Sequence, residues 1–271
     1  MKIIKTLSLA ILISSIYSTV TFADLLSDVK AKGILTVGTE MQYAPFDFLK
    51  NNKQVGFNPD IFKEIGKELG VSVKFSDLPW PSVLPGLTAS KFDMVAGPLT
   101  INAERAKKYR FTSPIDKSSF SLIQRTSDDS FKDHTDIKGK VVGGLRGDVS
   151  LIALKKIAKE NGAKEVREYG NSGQAYADLA TGRIVAVSNQ TANNGYTAAQ
   201  RPEVFKLVPG TFGEIKFVAF AGRNDENSES LINAVNAAIK VIQDDGRLAE
   251  IQTKWLGQPV SLPEHIDATK Y

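Results

Sequence analysis

The sequence predicts an α/β protein of two lobes, each a mostly parallel sheet flanked by helices, with a ligand cleft between them. Three observations lead there. Strand-like and helix-like segments alternate along the chain, the pattern of parallel strands joined by covering helices. The alternation pauses at "FTSPIDKSS" (111–119) and then restarts, so there are two such runs. Finally, Glu40, Gly97, Leu145 and Gln190 all fall at the carboxyl ends of strands, where open α/β sheets bind ligands.

Taken in order, "MKIIKTLSLAILISSIYSTVTFA" (1–23) has Lys2 and Lys5, an apolar stretch from Leu7 to Ile16, and Thr21-Phe22-Ala23 at its end. That is the pattern of a secretory leader cleaved after Ala23. Its core is broken by Ser14 and Ser15 and is short for a membrane span of about 20 residues. "ILTVGT" (34–39) is an apolar strand. "NPDIFKEIGKELG" (58–70) puts Ile61, Ile65 and Leu69 on one helical face with Gly70 as its stop. "VSVKFSDL" (71–78) alternates as a strand, and "PSVLPGLTASK" (81–91) is a short helix preceded by Trp80 in a loop. "FDMVAG" (92–97) is the next strand, expected to end in a Gly97-Pro98 turn. "NAERAKKYR" (102–110) is a helix with Asn102 as its cap.

The second run opens with the strand "FSLIQR" (120–125) and a polar surface stretch containing His134. The strand "VVGGL" (141–145) and the helix "SLIALKKIAKENG" (150–162) follow. "EVREYG" is a strand, "SGQAYADLATG" a helix capped by Ser172, "IVAVSNQ" (184–190) a strand and "TANNGYTAAQ" a helix. "KFVAFAGR" (216–223) returns the chain to the first run, and two helices close it. With crossovers near Lys117–Ser119 and Gly213–Lys216, the organisation is 1–23 leader, 24–117 with 216–271 as a discontinuous first lobe, and 118–215 as the second.

Composition narrows the functions. Of 271 residues, 42% are hydrophobic and 24% charged, an ordinary globular mix. Cysteine is absent, so neither disulfides nor a lipid-modified cysteine is available. The formal charge is +4, and +2 once Lys2 and Lys5 leave with the leader. No basic stripe interleaved with aromatics is present, which argues against nucleic acid. The only histidines, His134 and His265, sit in polar surroundings, and there is no H-E-x-x-H, G-x-S-x-G or cysteine nucleophile. No metal or cofactor is expected, and no catalytic residue is assigned; acid–base work by carboxylates stays open, since Glu40 and Asp148 could face one cleft.

"MVAGPLTINAERAKKYRFTSP" (94–114) is the most informative stretch. Gly97 permits close backbone approach. Thr100 offers a hydroxyl and an N–H, and Arg105 a guanidinium able to grip a carboxylate through two parallel bonds. The spacing fits equally a surface arginine paired with Glu104 or Asp116. In "GTEMQYAPFDF", Glu40 could receive a cation and Tyr43 could cover a ligand's carbon chain, with Phe46 and Phe48 as core. In "VVGGLRGDVS", Gly147 and the N–H groups of Asp148, Val149 and Ser150 open a helix where an anion could sit. The loop is not a phosphate loop, because no Gly-Lys-Ser/Thr follows.

Together "VGTEMQYAPFDF", "GFNPDIFKEIGKELG", "WPSVLPGLTASKFDMVAGPLT", "NAERAKKYRFTSP", "LATGRI" and "IKVIQDDGRLAEIQTKWLG" resemble the substrate-binding proteins of bacterial ABC importers for polar amino acids, over essentially the whole mature chain. The resemblance implies the type II periplasmic binding protein fold, a periplasmic monomer without enzymatic activity, and delivery of a small carboxylate-bearing solute to an ABC permease. It implies that Arg105 and Thr100 clamp an α-carboxylate, with Val149 adding a backbone donor. Tyr43 and Trp80 would wall the ligand side chain, Glu40 would meet its polar end, and Leu145, Asp148 and Ser150 would line the second lobe. Two positions depart from the pattern. Gln190 stands where an aspartate commonly binds the α-ammonium, and Gly97-Pro98 replaces the usual Ala-Gly or Ser-Ser, removing one N–H donor. Either Glu40 or Asp148 then supplies the negative partner, or the ligand lacks a free ammonium. Periplasmic cyclohexadienyl dehydratases resemble the same fold and are the alternative.

Overall fold

A computed structural model describes residues 24–268; the expected leader at 1–23 lies outside them. Asp24 accepts from the Ser27 N–H and so caps α1 (Leu25–Lys32), which precedes β1 (Ile34–Thr39). A small antiparallel sheet of β2 (Gln42–Tyr43), β3 (Asp47–Lys50) and β4 (Lys53–Val55) follows. Next come α2 (Phe57–Leu69), β5 (Ser72–Asp77), α3 (Trp80–Thr88), β6 (Met94–Thr100), α4 (Ala103–Ala106) and β7 (Tyr109–Phe111). The second run holds β8 (Asp116–Arg125), β9 (Val141–Leu145), α5 (Val149–Asn161), β10 (Glu165–Tyr169), α6 (Ser172–Ala180), β11 (Ala186–Gln190), α7 (Thr191–Gln200) and β12 (Phe205–Leu207). β13 (Phe212–Arg223), α8 (Glu226–Asp244) and α9 (Arg247–Leu256) complete the chain.

The larger sheet has the order β10-β9-β11-β8-β13-β6-β1-β5. β1 pairs parallel with β5 and β6, and β9 pairs parallel with β10 and β11. The long strands β8 and β13 are antiparallel to each other and to their outer neighbours, and they carry the chain between the two parallel sets. The segments expected as crossovers, Lys117–Ser119 and Gly213–Lys216, lie inside these strands.

Helices cover both faces of each set. Ile61, Phe62 and Ile65 of α2 and Val235 and Ile239 of α8 pack with Val37 and Phe220 on one face of the first set. Val83 and Leu87 of α3 pack with Phe92, Val95 and Leu99 on the other. Leu145 joins this second cluster from the far half of the sheet. Packing on two sides explains why β6 and β11 read as unbroken buried runs rather than alternating ones.

Several expectations are corrected. β6 does not stop at Gly97-Pro98 but continues to Thr100, which therefore ends a strand rather than starting a helix. Proline has no N–H for the ladder, and the pairing with β13 shifts register between Ala219 and Ala221 to accommodate it. The helix expected over 102–110 is one turn, α4, before β7 pairs with β13, although Asn102 does cap it through the Arg105 N–H. α6 is capped by Asn171, not Ser172. Trp80 opens α3 rather than lying in a loop. Phe46 is core, but Phe48 is only half-buried, against Tyr196 and Trp255. His134 is not simply a polar loop residue, because its ring stacks on Phe212. Among the described residues no helix is long and apolar enough to cross a membrane.

One contact in β1 gives a direct test of the packing. A Cβ on Gly38 would sit 2.2 Å from the Phe92 ring. Gly38→Ala is expected to destabilise the protein by about 1–3 kcal/mol, the usual cost of overpacking a dense core. Phe92→Leu in the same chain should recover part of that loss in denaturant unfolding. Full additivity of the two changes would contradict the contact.

Candidate functional site

The strand ends do converge. β1 runs out into Thr39 and Glu40, β5 into Trp80, β6 through Gly97-Pro98, β9 into Leu145, and β11 into Gln190. They surround a nearly closed cavity with only about 10 Å³ of free volume. Glu40, Tyr43, Trp80, Gly97 and Pro98 line it from the first half of the chain, and Leu145, Asp148 and Gln190 from the second. Thr100, Arg105, Val149 and Ser150 stand outside its lining.

Gly97 is required by its neighbour. The Trp80 ring packs against its backbone, and a Cβ there would be 2.7 Å from the ring. The same ring reaches across to within 3.8 Å of where a Cβ on Gly147 would lie.

Polar contacts bridge the two sides. Arg105 donates from Nη1 to the Thr100 carbonyl at 3.1 Å and from Nη2 to the Gly147 carbonyl at 3.1 Å. It forms no ion pair with Glu104, which pairs with Lys107, or with Asp116. Gln190 faces the cavity and is 2% exposed. Its Nε2 donates to the Pro98 carbonyl at 3.0 Å, so the proline contributes as an acceptor. The Tyr43 hydroxyl donates to Asn189 Oδ1 at 2.7 Å. The Ser172 N–H donates to Glu40 Oε1 at 3.3 Å. Asp148 caps α5 by accepting from the Ser150 N–H at 2.7 Å.

Three lining residues, Thr39, Asp47 and Asn58, were not expected from the sequence. Asp47 is buried beneath the cavity and accepts from the Thr39 hydroxyl, Gln54 Nε2 and Asn58 Nδ2 at 2.7, 2.7 and 3.0 Å. The available signal was a lone carboxylate between Phe46 and Phe48 in "APFDF". A charge there is costly unless something satisfies it.

The electrostatics are lopsided. Burial pushes Glu40 up to about 8, with the charges of Asp148 and Asp77 adding to it against the Ser172 N–H. Burial raises Asp47 to about 7 despite its three donors. Burial lowers the Arg105 pKa while Asp148 opposes that shift. Among the described residues, none of Glu40, Asp47, Asp77 and Asp148 has a lysine, arginine or histidine nitrogen within ion-pair distance. Glu40 Oε2, Gln190 Oε1 and Asn58 Oδ1 are buried without any hydrogen-bond partner. The cavity thus holds surplus acceptors with no basic side chain within ion-pair distance of its carboxyl groups. No group of His, Cys, Asp and Glu able to hold a metal occurs among the described residues.

Known proteins share this architecture. The L-cystine-binding protein TcyJ of Escherichia coli (strain K12) is 31% identical over 252 residues, covering 89% of this chain and 90% of its own. A solved ancestral arginine-binding protein bound to arginine superposes with a TM-score of 0.77 at 33% identity, over 83% of this chain and 99% of that one. The ancestral amino acid-binding protein AncCDT-1, described as a precursor of cyclohexadienyl dehydratase, gives 0.75 at 30% identity, over 85% and 98%. These structures share the two-lobed periplasmic binding protein fold, α/β in each lobe with a cleft between. Residues 35–258 match the family model itself, so the chain belongs to the bacterial extracellular solute-binding proteins, family 3.

Proposed function

We propose that this protein captures a polar α-amino acid, or a close derivative, in the cavity between its lobes and hands it to an ABC permease. The lobes divide at 117/118 and 215/216, with the bend carried by the paired strands β8 and β13. The leader-like pattern at 1–23 and the extracellular family support a periplasmic location, where a monomer suits transient docking on a permease. The observation that carries this reading is the surplus of carboxyl groups around the cavity, Glu40, Asp47 and Asp148, with no basic side chain within ion-pair distance, beside the Arg105 guanidinium that bridges the cleft.

The roles follow from chemistry. Arg105 spends two N–H groups on carbonyls and has others free for a carboxylate. Thr100 and the N–H groups at Val149 and Ser150 would complete that end as donors. The ligand's α-ammonium would lie between Asp148 and the unpartnered Gln190 Oε1. Gln190 cannot neutralise an ammonium, so Asp148 takes the charge that Gln190 lacks. Tyr43, Trp80 and Leu145 supply the apolar walls, and Gly97 and Pro98 the backbone floor.

Calorimetric titration of the purified protein with the common amino acids and their deaminated and N-acetylated analogues tests this. Free amino acids should bind and analogues without the ammonium should bind at least about tenfold more weakly. Binding confined to amine-free acids would remove the Asp148 assignment.

A second reading has one specific support. The Glu40 carboxyl, held up to about 8, is protonated at neutral pH and could act as a general acid, and one structural relative is described as a dehydratase precursor. Formation of an aromatic product from prephenate or arogenate would establish it. Without turnover, the protein is a receptor and not an enzyme.

A further inference from the structure

A second set of contacts joins the two sides of the cleft beside the cavity. Tyr43 and Ala44 come from the first side, at the end of β2 and just after it. Facing them on the second side are Asn189 near the end of β11, Asn193 in the first turn of α7, and Tyr176 of α6. Two hydrogen bonds cross. The Tyr43 hydroxyl donates to Asn189 Oδ1 at 2.7 Å, and Asn193 Nδ2 donates to the Ala44 carbonyl. Asn189 and Asn193 are each 1% exposed, and neither lines the cavity. Tyr196, one turn beyond Asn193 on α7, continues the seam, with its ring 5.5 Å from that of Phe48.

Each amide is oriented by neighbours on its own side. Asn189 Oδ1 also accepts the Gln190 N–H at 2.8 Å, and its Nδ2 donates to the Tyr176 oxygen at 3.3 Å and to Ser172 Oγ at 3.5 Å. Asn194 donates to the Ser121 carbonyl at 2.9 Å and turns Oδ1 to the Tyr176 hydroxyl at 2.9 Å. Asn193 Oδ1 lies against the same hydroxyl, which leaves Nδ2 as the end that faces Ala44. Neither side needs the crossing bonds to keep its own structure. β11 is paired with β8 and β9, and β2 with β3. With the sides parted, water can take the place of each lost partner, so the amides carry no penalty for standing open.

We propose that Asn189 and Asn193 are positioning residues for ligand capture: they form a latch on which the Tyr43-Ala44 segment seats when the lobes close, and Asn193 and Asn189 prolong the hold on a solute that they do not touch. This rests on the hinge-closure reading of the cavity. With the crossing bonds made, the cavity keeps only about 10 Å³ of free volume, so a solute enters and leaves through parted lobes. The bonds are not yet made when a solute enters, and they must break before it leaves. The latch therefore acts on dissociation rather than on association. It also acts on the protein alone, because both partners of each bond belong to the chain.

The test compares the wild-type protein with Asn193→Ala and Tyr43→Phe. Asn193→Ala leaves the Tyr176 hydroxyl its Asn194 acceptor, and Tyr43→Phe keeps the ring that walls the cavity, so both should fold; thermal melts check that they do. The probes are the common L-amino acids, with association and dissociation rates taken by stopped flow on the fluorescence of Trp80, which lines the cavity. Lobe separation is read in parallel from spin labels. The chain has no cysteine, so labels attach only at Glu104→Cys on the first side and Lys156→Cys on the second, both exposed. In each variant dissociation is expected to rise about three- to tenfold, the worth of one hydrogen bond, while association changes by less than about twofold. The labels should show fewer closed molecules in each variant than in the wild-type protein before any probe is added. Unchanged dissociation in both variants overturns the latch and leaves the amino-acid reading standing. Slower association with unchanged dissociation does the same. If no amino acid binds the wild-type protein, the amino-acid reading fails, and the labels alone decide the latch: a loss of closed molecules in both variants upholds it, and unshifted separations overturn it.

Discussion

Arg105→Ala is expected to weaken amino-acid binding by more than about a hundredfold, close to loss of measurable heat. Removing one partner of a buried, hydrogen-bonded charge pair costs about 2–5 kcal/mol, because the carboxylate left behind has given up its water. The side chain also spans the cleft, from the Thr100 carbonyl on its own side to the Gly147 carbonyl on the other. The variant should therefore close less completely as well as bind less. Its fold should persist, since the guanidinium is half-buried and holds no ion pair; melting temperature separates these effects. Arg105→Lys keeps the charge but loses the planar fork, and should recover only part of the affinity. Undiminished binding by the alanine variant would dissolve the clamp and with it the orientation assigned to the ligand.

The strand and helix alternation was legible because it is local. The bounds of β1 and β9 follow from apolar runs and their polar punctuation alone. What was not legible depends on partners far along the chain. β6 reads as ending at Pro98, and only the register shift on β13, more than a hundred residues later, lets it continue. The short strands β2–β4 turn at Asn51 and Asn52, both with positive φ, and have too little periodicity to announce themselves. The cavity was legible in most of its lining, because strand ends, glycines and aromatics mark it. Asp47 and Asn58 were missed because their roles appear only when β3 and α2 are brought together. Gln190 was recognised as a departure, but its bond to Pro98, 92 residues away, was not readable. Those two unusual residues are in contact, so they form one altered corner of the site rather than two separate anomalies.

The pH dependence of binding is expected to run opposite to that of unliganded stability. Glu40 is held up to about 8, and Asp47 and Asp116 to about 7, all chiefly by burial. The ordinary values are 4.5 and 3.8, so between pH 5 and 8 the folded, empty protein holds protons that the unfolded chain has released. The stability these groups contribute is complete below about pH 4 and is lost as pH rises through 7 and 8. Melting temperature should therefore fall from pH 5 to pH 8. A cationic ligand beside Glu40 reverses the preference, since a neighbouring positive charge favours the carboxylate. Binding must then expel the Glu40 proton, and affinity should rise by about a factor of ten per pH unit well below 8, reaching about fiftyfold between pH 6 and pH 8, and level off above. Asp148 and Asp77, which face Glu40, should strengthen the effect when the ligand's charge falls between all three. Titration at pH 7 in buffers of different ionisation enthalpy counts the proton directly: release approaching one per ligand is expected, and Glu40→Gln should abolish both the release and the slope. Uptake of a proton, or a flat profile in the wild-type protein, would mean that Glu40 does not meet the ligand's cation and that the surplus of acceptors in the cavity serves a neutral solute.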